Sequence, residues 1–193
     1  MNKKTSILIL VGVVLVLGIW LLGRGGVPAS NTATPNGNTA VKSDPLNTTY
    51  QIEGTAVTLV NGKSEVEAAP GSATKIVDQV FGQPVFGDLN NDGVPDAGLI
   101  LVDQPGGTGT FYYLAAAINQ NGNYVGTNAI LLGDRIAPQN IQIQNGVLIT
   151  NYADRNPGEP FSVQPSVGKS FYARMSGNRL IETENIQGTP ALD

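Results

Sequence analysis

Short runs of alternating apolar and polar residues, separated by turns rich in glycine and asparagine, fill most of this 193-residue chain after its first quarter. A period of two sends successive side chains to opposite faces of a strand. Strands are predicted at 50–53, 56–60, 63–67, 110–119, 124–132, 170–175 and 179–183, with a strand or short helix at 74–81. The segment 141–150 reads as one alternating hairpin about Asn145-Gly146. Asn61-Gly62, Asn121-Gly122 and Gly177-Asn178 supply further turns, because Asn and Gly accept the positive φ that tight hairpins demand. Residues 110–119 are apolar on both faces, which predicts a central strand. Together these elements predict an all-β domain, an antiparallel sandwich or a partly open barrel. No repeat of 20–50 residues is visible, so a solenoid or full propeller is excluded.

The N-terminus follows a different pattern. A basic head with Lys3 and Lys4 precedes an uncharged run at 5–23, whose apolar heart (7–22) is sixteen residues long. That length sits between a secretory apolar region and a full span. The charge bias keeps the head in the cytoplasm and sends the rest across. Residues 1–24 are therefore expected to be a signal anchor, one transmembrane helix entering the lipid bilayer through 5–23. A cleaved signal peptide ending near Val27-Pro28-Ala29 is the alternative, disfavoured by Arg24 just beyond the apolar run; a buried core helix is the third option. Residues 25–47, rich in Gly, Pro, Ser, Thr and Asn, read as a flexible linker. The β domain is placed at 48–184, outside the cytoplasm on the cytoplasmic (inner) membrane, with a disordered tail at 185–193.

Composition narrows the chemistry. The chain holds no histidine and no cysteine, which removes Ser-His-Asp and Cys-His mechanisms, the usual zinc sites and disulfides. Beyond Arg24 there are 8 basic residues against all 15 acidic ones, with no basic cluster, so nucleic acid is not an expected partner.

One loop carries a sharper signal. Asp88, Asn90, Asp92 and Asp96 occupy loop positions 1, 3, 5 and 9, with Gly93 at 6 and the Val94 carbonyl at 7. Ca²⁺ takes six to eight hard oxygen ligands, and this spacing offers five ligand residues: Asp88, Asn90, Asp92, Val94 and Asp96. Position 12 is Leu99 rather than a bidentate Glu, and both flanks read as strands, so the loop is not an EF-hand. It resembles the calcium loops of FG-GAP and VCBS repeats, present here as a single copy of about fifteen residues. The resemblance implies bound Ca²⁺ and does not imply the propeller those repeats build. A metal-free turn is the competing reading, since Asn and Asp close turns on their own backbone. Over the wider range 50–172 the chain is similar to uncharacterised small bacterial exported proteins with the same anchor, tether and β domain, a resemblance that implies no activity.

Two strand-end pairs, Asp134-Arg135 and Asp154-Arg155, with Glu159 close behind, form either a polar ligand cleft or structural ion pairs. The pairs of carboxylates admit glycoside hydrolysis, but the sole Trp is Trp20, so the domain has no Trp platform for a sugar. Ser166 and Lys169 match the S-x-x-K of penicillin-recognising enzymes without the companion elements, and read as turn residues before a strand. The expected function is a Ca²⁺-stabilised, membrane-anchored binding or structural domain acting on an envelope protein or small ligand. A carboxylate-dependent hydrolase is the alternative, and an adhesive or inhibitor-like module a third.

Overall fold

The structure is a computed structural model that describes residues 43–184; the expected membrane segment, the linker through residue 42 and the tail 185–193 lie outside the described residues. The alternation becomes strands β1 (Thr49–Ile52), β2 (Thr55–Thr58), β3 (Lys63–Glu67), β4 (Lys75–Gly87), β5 (Asp96–Gln104) and β6 (Phe111–Gln120). There follow β7 (Asn123–Gly126), β8 (Ile130–Asp134), β9 (Ala137–Gln144), β10 (Val147–Asp154), β11 (Val167–Ser176) and β12 (Arg179–Glu182). The domain is all-β, and every pairing between these strands is antiparallel. A large sheet runs β3-β4-β5-β6-β7, with β8 also on β6, and curls into a half-barrel. A second sheet runs β12-β11-β10-β9, and β1 and β2 form a hairpin of their own.

The large sheet is the middle of three layers. Leu99, Leu101, Tyr113 and Ala115 on one face pack with Tyr50, Ile52, Val57 and Leu59 of the hairpin layer. Ile100, Leu114 and Ala116 on the other face pack with Leu148, Tyr152, Ala173 and Leu180 of the four-stranded sheet. β5 and β6 are thus covered on both sides, which explains why 97–102 and 113–117 are continuous apolar runs without alternation. Small residues let the layers close. A Cβ placed on Gly98 would collide with the Leu148 side chain, and one on Gly126 with the Thr49 carbonyl.

Several boundaries differ from the sequence reading. Asn61 (φ 52°) and Gly62 (φ 79°) do make a tight turn, yet it closes only a Val60–Lys63 bridge, because β2 belongs to the hairpin layer and β3 pairs with β4. The tight hairpin of the first layer instead turns at Glu53 (φ 48°) and Gly54 (φ 83°). The expected strand 124–132 is broken into β7 and β8, which pair with opposite halves of β6. At the break, the Thr127 hydroxyl accepts the Ala116 N–H, and the Asn128 amide both donates to and accepts from the Leu180 backbone. Segment 74–81 is strand from Lys75 on, with no helix, and continues to Gly87, its register shifting between Phe81 and Val85. Pro138 lies in β9, where a register shift between Asn151 and Tyr152 accommodates it.

Residues before 48 also belong to the fold. The Ser43 hydroxyl donates to the Tyr124 carbonyl, Asp44 accepts the Leu46 N–H, and the buried Tyr50 hydroxyl donates to the Pro45 carbonyl at 2.7 Å. Burial needs that partner for the phenol, so residues 43–47, assigned to the linker by composition, pack as part of the fold.

Gly98→Ala should lower stability by about 1–3 kcal/mol through overpacking against Leu148, whereas Gly168→Ala, where a Cβ meets nothing within 4 Å, should leave the melting temperature nearly unchanged. Paired thermal melts of the two variants check this.

Candidate functional site

Three groups of acidic side chains stand out, and they solve the problem of a carboxylate in different ways. The first is the loop between β4 and β5. Asp96, the first residue of β5, is fully buried, and its two oxygens accept the N–H groups of Leu89 and Asn119, both at 2.9 Å. Asp88 accepts the N–H groups of Asp92 (3.2 Å) and Gly93 (2.9 Å), Asn90 accepts that of Asp92 (3.0 Å), and Asp92 accepts that of Val94 (2.8 Å). These bonds hold the Asp88 carboxyl below the usual range, the Gly93 N–H contributing most. Burial raises the Asp96 carboxyl, its two N–H partners oppose the rise, and the charges of Asp92 and Asp88 add to it.

The loop's donor chemistry fits a hard cation. A carboxylate oxygen has room for a second partner beyond one N–H, and no ion pair among the described residues involves Asp88, Asp92 or Asp96. Its spacing does not close around one: among the described residues no three acidic side chains are grouped as a metal would require. The Asn90 amide instead donates to Asp92 at 2.9 Å.

This loop forms one wall of a cleft of about 540 Å³, whose other walls include the β6–β7 turn, Met175 and Asn178. Asn119 ties wall to loop: its N–H goes to Asp96, its amide donates to the Pro95 carbonyl, and its side-chain oxygen accepts the Gly122 N–H.

The second group is the pair of strand-end Asp-Arg segments. They adjoin, since Arg155 donates to the Arg135 carbonyl at 2.8 Å, and both guanidinium groups lie over the Phe161 ring, at 3.5 Å for Arg135 and 5.4 Å for Arg155. The carboxylates are engaged, however. Asp134 is held by Arg135 at 2.6 and 3.0 Å and also accepts the Thr110 N–H. Asp154 is held by Lys169 at 2.6 Å, and Arg155 contributes its backbone N–H. Both carboxyls are lowered, chiefly by Arg135 and by Lys169 respectively. Glu159 accepts two bonds from Asn156. Asp134 and Asp154 are thus in ion pairs, with Arg135 and with Lys169 of the S-x-x-K segment, while Arg155 holds the carbonyls of Phe161 and Val163 in the loop 155–166.

The third group was not singled out in the sequence. Asp78 of β4 and Asp103 of β5 are direct cross-strand partners. Asp78 is only 4% exposed. It makes no hydrogen bond or ion pair among the described residues, and the Oδ1 atom of Asp103 is buried without a partner. Glu53, at the hairpin turn, stands near and accepts a bond from the Tyr113 hydroxyl at 3.1 Å. These carboxylates line a cleft of about 480 Å³ walled by Ile52, Val57, Val66 and Ile76. Burial, then the charge of Asp103, pushes the Asp78 carboxyl up to about 6, and burial, then Glu53, raises Asp103. Alternation does place residue 78 on the same face as Val80, but pairing it with residue 103 requires the β4–β5 register, which no local pattern shows.

No family model, no curated protein and no solved structure matches the chain.

Asp78 carries a stability signature. Its carboxyl is raised from 3.8 to about 6 in the folded state, so folding favours the protonated form; the stabilisation is complete below 3.8 and is lost as pH rises through about 6. Ionised Asp78 thus costs the fold about 3 kcal/mol at neutral pH. Asp78→Asn should be increasingly stabilising, relative to the native chain, between pH 4 and pH 7, as read from denaturant midpoints across that range. A constant difference would show that Asp78 ionises in the fold as freely as in water.

Proposed function

We propose that the protein is a binding domain of the cell envelope, held outside the cytoplasmic membrane by its N-terminal anchor, in which Ca²⁺ bound by the β4–β5 loop sets the shape of the neighbouring cleft. The observation that carries this reading is the loop itself: Asp88, Asp92 and Asp96 share one short segment without a positive side chain, and Asp96 and Pro95 are bonded to Asn119 on the opposite wall of the cleft. Asp88, Asn90, Asp92, Asp96 and the Val94 carbonyl would hold the ion, supplying the oxygen-only set that Ca²⁺ prefers. Offsetting two of the three carboxylate charges, the ion would stiffen the loop. The cleft wall then offers side-chain amides from Asn90, Asn119, Asn121 and Asn178, which suit an uncharged ligand rich in hydrogen-bonding groups. The hydrolase alternative loses its first candidates, because Asp134 and Asp154 are each neutralised by a cation.

Thermal melts of the purified chain across a Ca²⁺ series, with Mg²⁺ as control, test the ion. A site confined to the folded state adds about 2.7 kcal/mol at a hundred times Kd, a rise of roughly 5–10 °C for a domain of this size. Asp92→Ala should abolish that rise; a variant that keeps the full response sinks the ligand assignment, and a flat native response sinks the calcium reading.

The link from loop to cleft has its own test. In a Ca²⁺ titration followed by amide NMR, the resonances of Asn119, Asn121 and Thr127 should move with the same midpoint as Gly93. Movement confined to 88–96 would mean that the loop and the cleft are independent.

A further inference from the structure

We propose that the second cleft, between the β1–β2 hairpin and the β3–β4–β5 end of the large sheet, is a binding site for a primary ammonium group carried on an alkyl stem, as in a free alkylamine or a lysine side chain. The argument starts from what is missing around Asp78. A carboxylate 4% exposed normally has a hydrogen-bond or ionic partner, and leaving one without is costly. Asp78 has none among the described residues, its cross-strand neighbour Asp103 has a buried oxygen that is equally unpartnered, and like charges directly opposite repel. Two adjacent, partnerless acids opening into a cavity of about 480 Å³ describe a receptor for positive charge.

The rest of the cleft selects the kind of cation. The walls formed by Ile52, Val57, Val66 and Ile76 offer nothing to a hydrated ion. They do offer contact to methylene groups. An ammonium head presents three N–H donors on a compact centre, which the adjacent carboxylates of Asp78 on β4 and Asp103 on β5 can share, with Glu53 lining the same cleft. A guanidinium plane would need a coplanar carboxylate, as Arg135 finds in Asp134.

No side chain of the described protein is placed to fill this role. Strand alternation puts Ser64 and Val66 of β3 on the cleft face with Asp78. Lys63 and Lys75 fall on the opposite face and are paired with Glu65 and Glu67. The remaining titratable neighbour is the Tyr113 hydroxyl of β6, which donates to Glu53 and whose own ionisation burial pushes far up. All charge facing the cavity is therefore acidic, and its two inner members are raised toward neutrality. Ammonium binding should follow their ionisation, strong at pH 7.5 and lost as Asp78 takes up its proton.

The experiment is a calorimetric titration of the full-length protein with n-butylamine and with N-acetyl-lysine methylamide at pH 7.5 and pH 5.0. Butanol, guanidinium and Ca²⁺ are titrated in parallel. Saturable binding of either amine at pH 7.5, at least tenfold weaker at pH 5.0 and at least tenfold weaker in Asp103→Asn, is the expected result. Tighter binding of the lysine derivative assigns the ligand to a polypeptide, and tighter binding of butylamine assigns it to a free amine. Val66→Thr, a near-isosteric and uncharged change at the exposed wall, separates stem from head: it should weaken butylamine while leaving the thermal melt cooperative. Equal binding of butanol, preference for guanidinium or Ca²⁺, or no saturable amine binding at millimolar concentration would each overturn the proposal.

Discussion

The two middle strands, β5 and β6, bury both of their faces, and the rest of the architecture is a set of ways to cover them. Leu99 and Leu101 face one layer while Ile100 faces the other, so neither cover can be absent without exposing a row of apolar side chains to water. The requirement also dictates size. The run Ala115-Ala116-Ala117 and Gly98 keep the central sheet thin enough for Tyr50 on one side and Leu148 on the other to make contact at native packing density. Where the double cover ends, at Asp103 on one face and beside Asp96 on the other, polar groups appear, and both clefts lie at those edges.

The acids show how unevenly a fold treats one functional group. Asp96 is the most buried, yet each oxygen receives a backbone N–H, which offsets much of its desolvation. Asp134 and Asp154 sit at strand ends with a cation at 2.6 Å, in partly solvated positions where such pairs are worth little to stability but fix geometry. Asp78 and Asp103 receive neither kind of help. Protein interiors that leave such groups without partners store strain that a ligand can relieve, and this contrast singles them out more clearly than burial alone.

Much of the fold was legible because local chemistry decided it. Asn121-Gly122 and Asn145-Gly146 turn where their positive φ values require, and the two-sided apolar run at 110–119 is the central strand. The strand–loop–strand setting of 88–96 was equally visible. Other features were decided at a distance. Asn61-Gly62 has the composition of a hairpin turn, but its flanking strands join different layers. The break at Thr127-Asn128 follows from bonds to Ala116 and Leu180, which no window around residue 127 contains. Residues 43–47 look like tether by composition and are held by Tyr50 and Tyr124. The cleft at Asp78 and Asp103 was hidden for the same reason: 25 positions separate the two acids, and only strand register makes them neighbours.

Asn128 has a consequence for the order of assembly. Its backbone bridges to Gln51, close to the start of the first strand, and its side chain exchanges two hydrogen bonds with Leu180 in the last one. The earliest and latest parts of the fold therefore share one residue as their meeting point. A chain emerging from a ribosome N-terminus first can assemble the hairpin cover once residue 129 is free, but cannot complete the other cover of its central strands until residue 180 follows. Until then β10 and β11 leave Leu148 and Ala173 without the closing strand. The last of these links is the contact between Asn128 and Leu180, 52 positions apart, which local hairpins such as β11–β12 must precede.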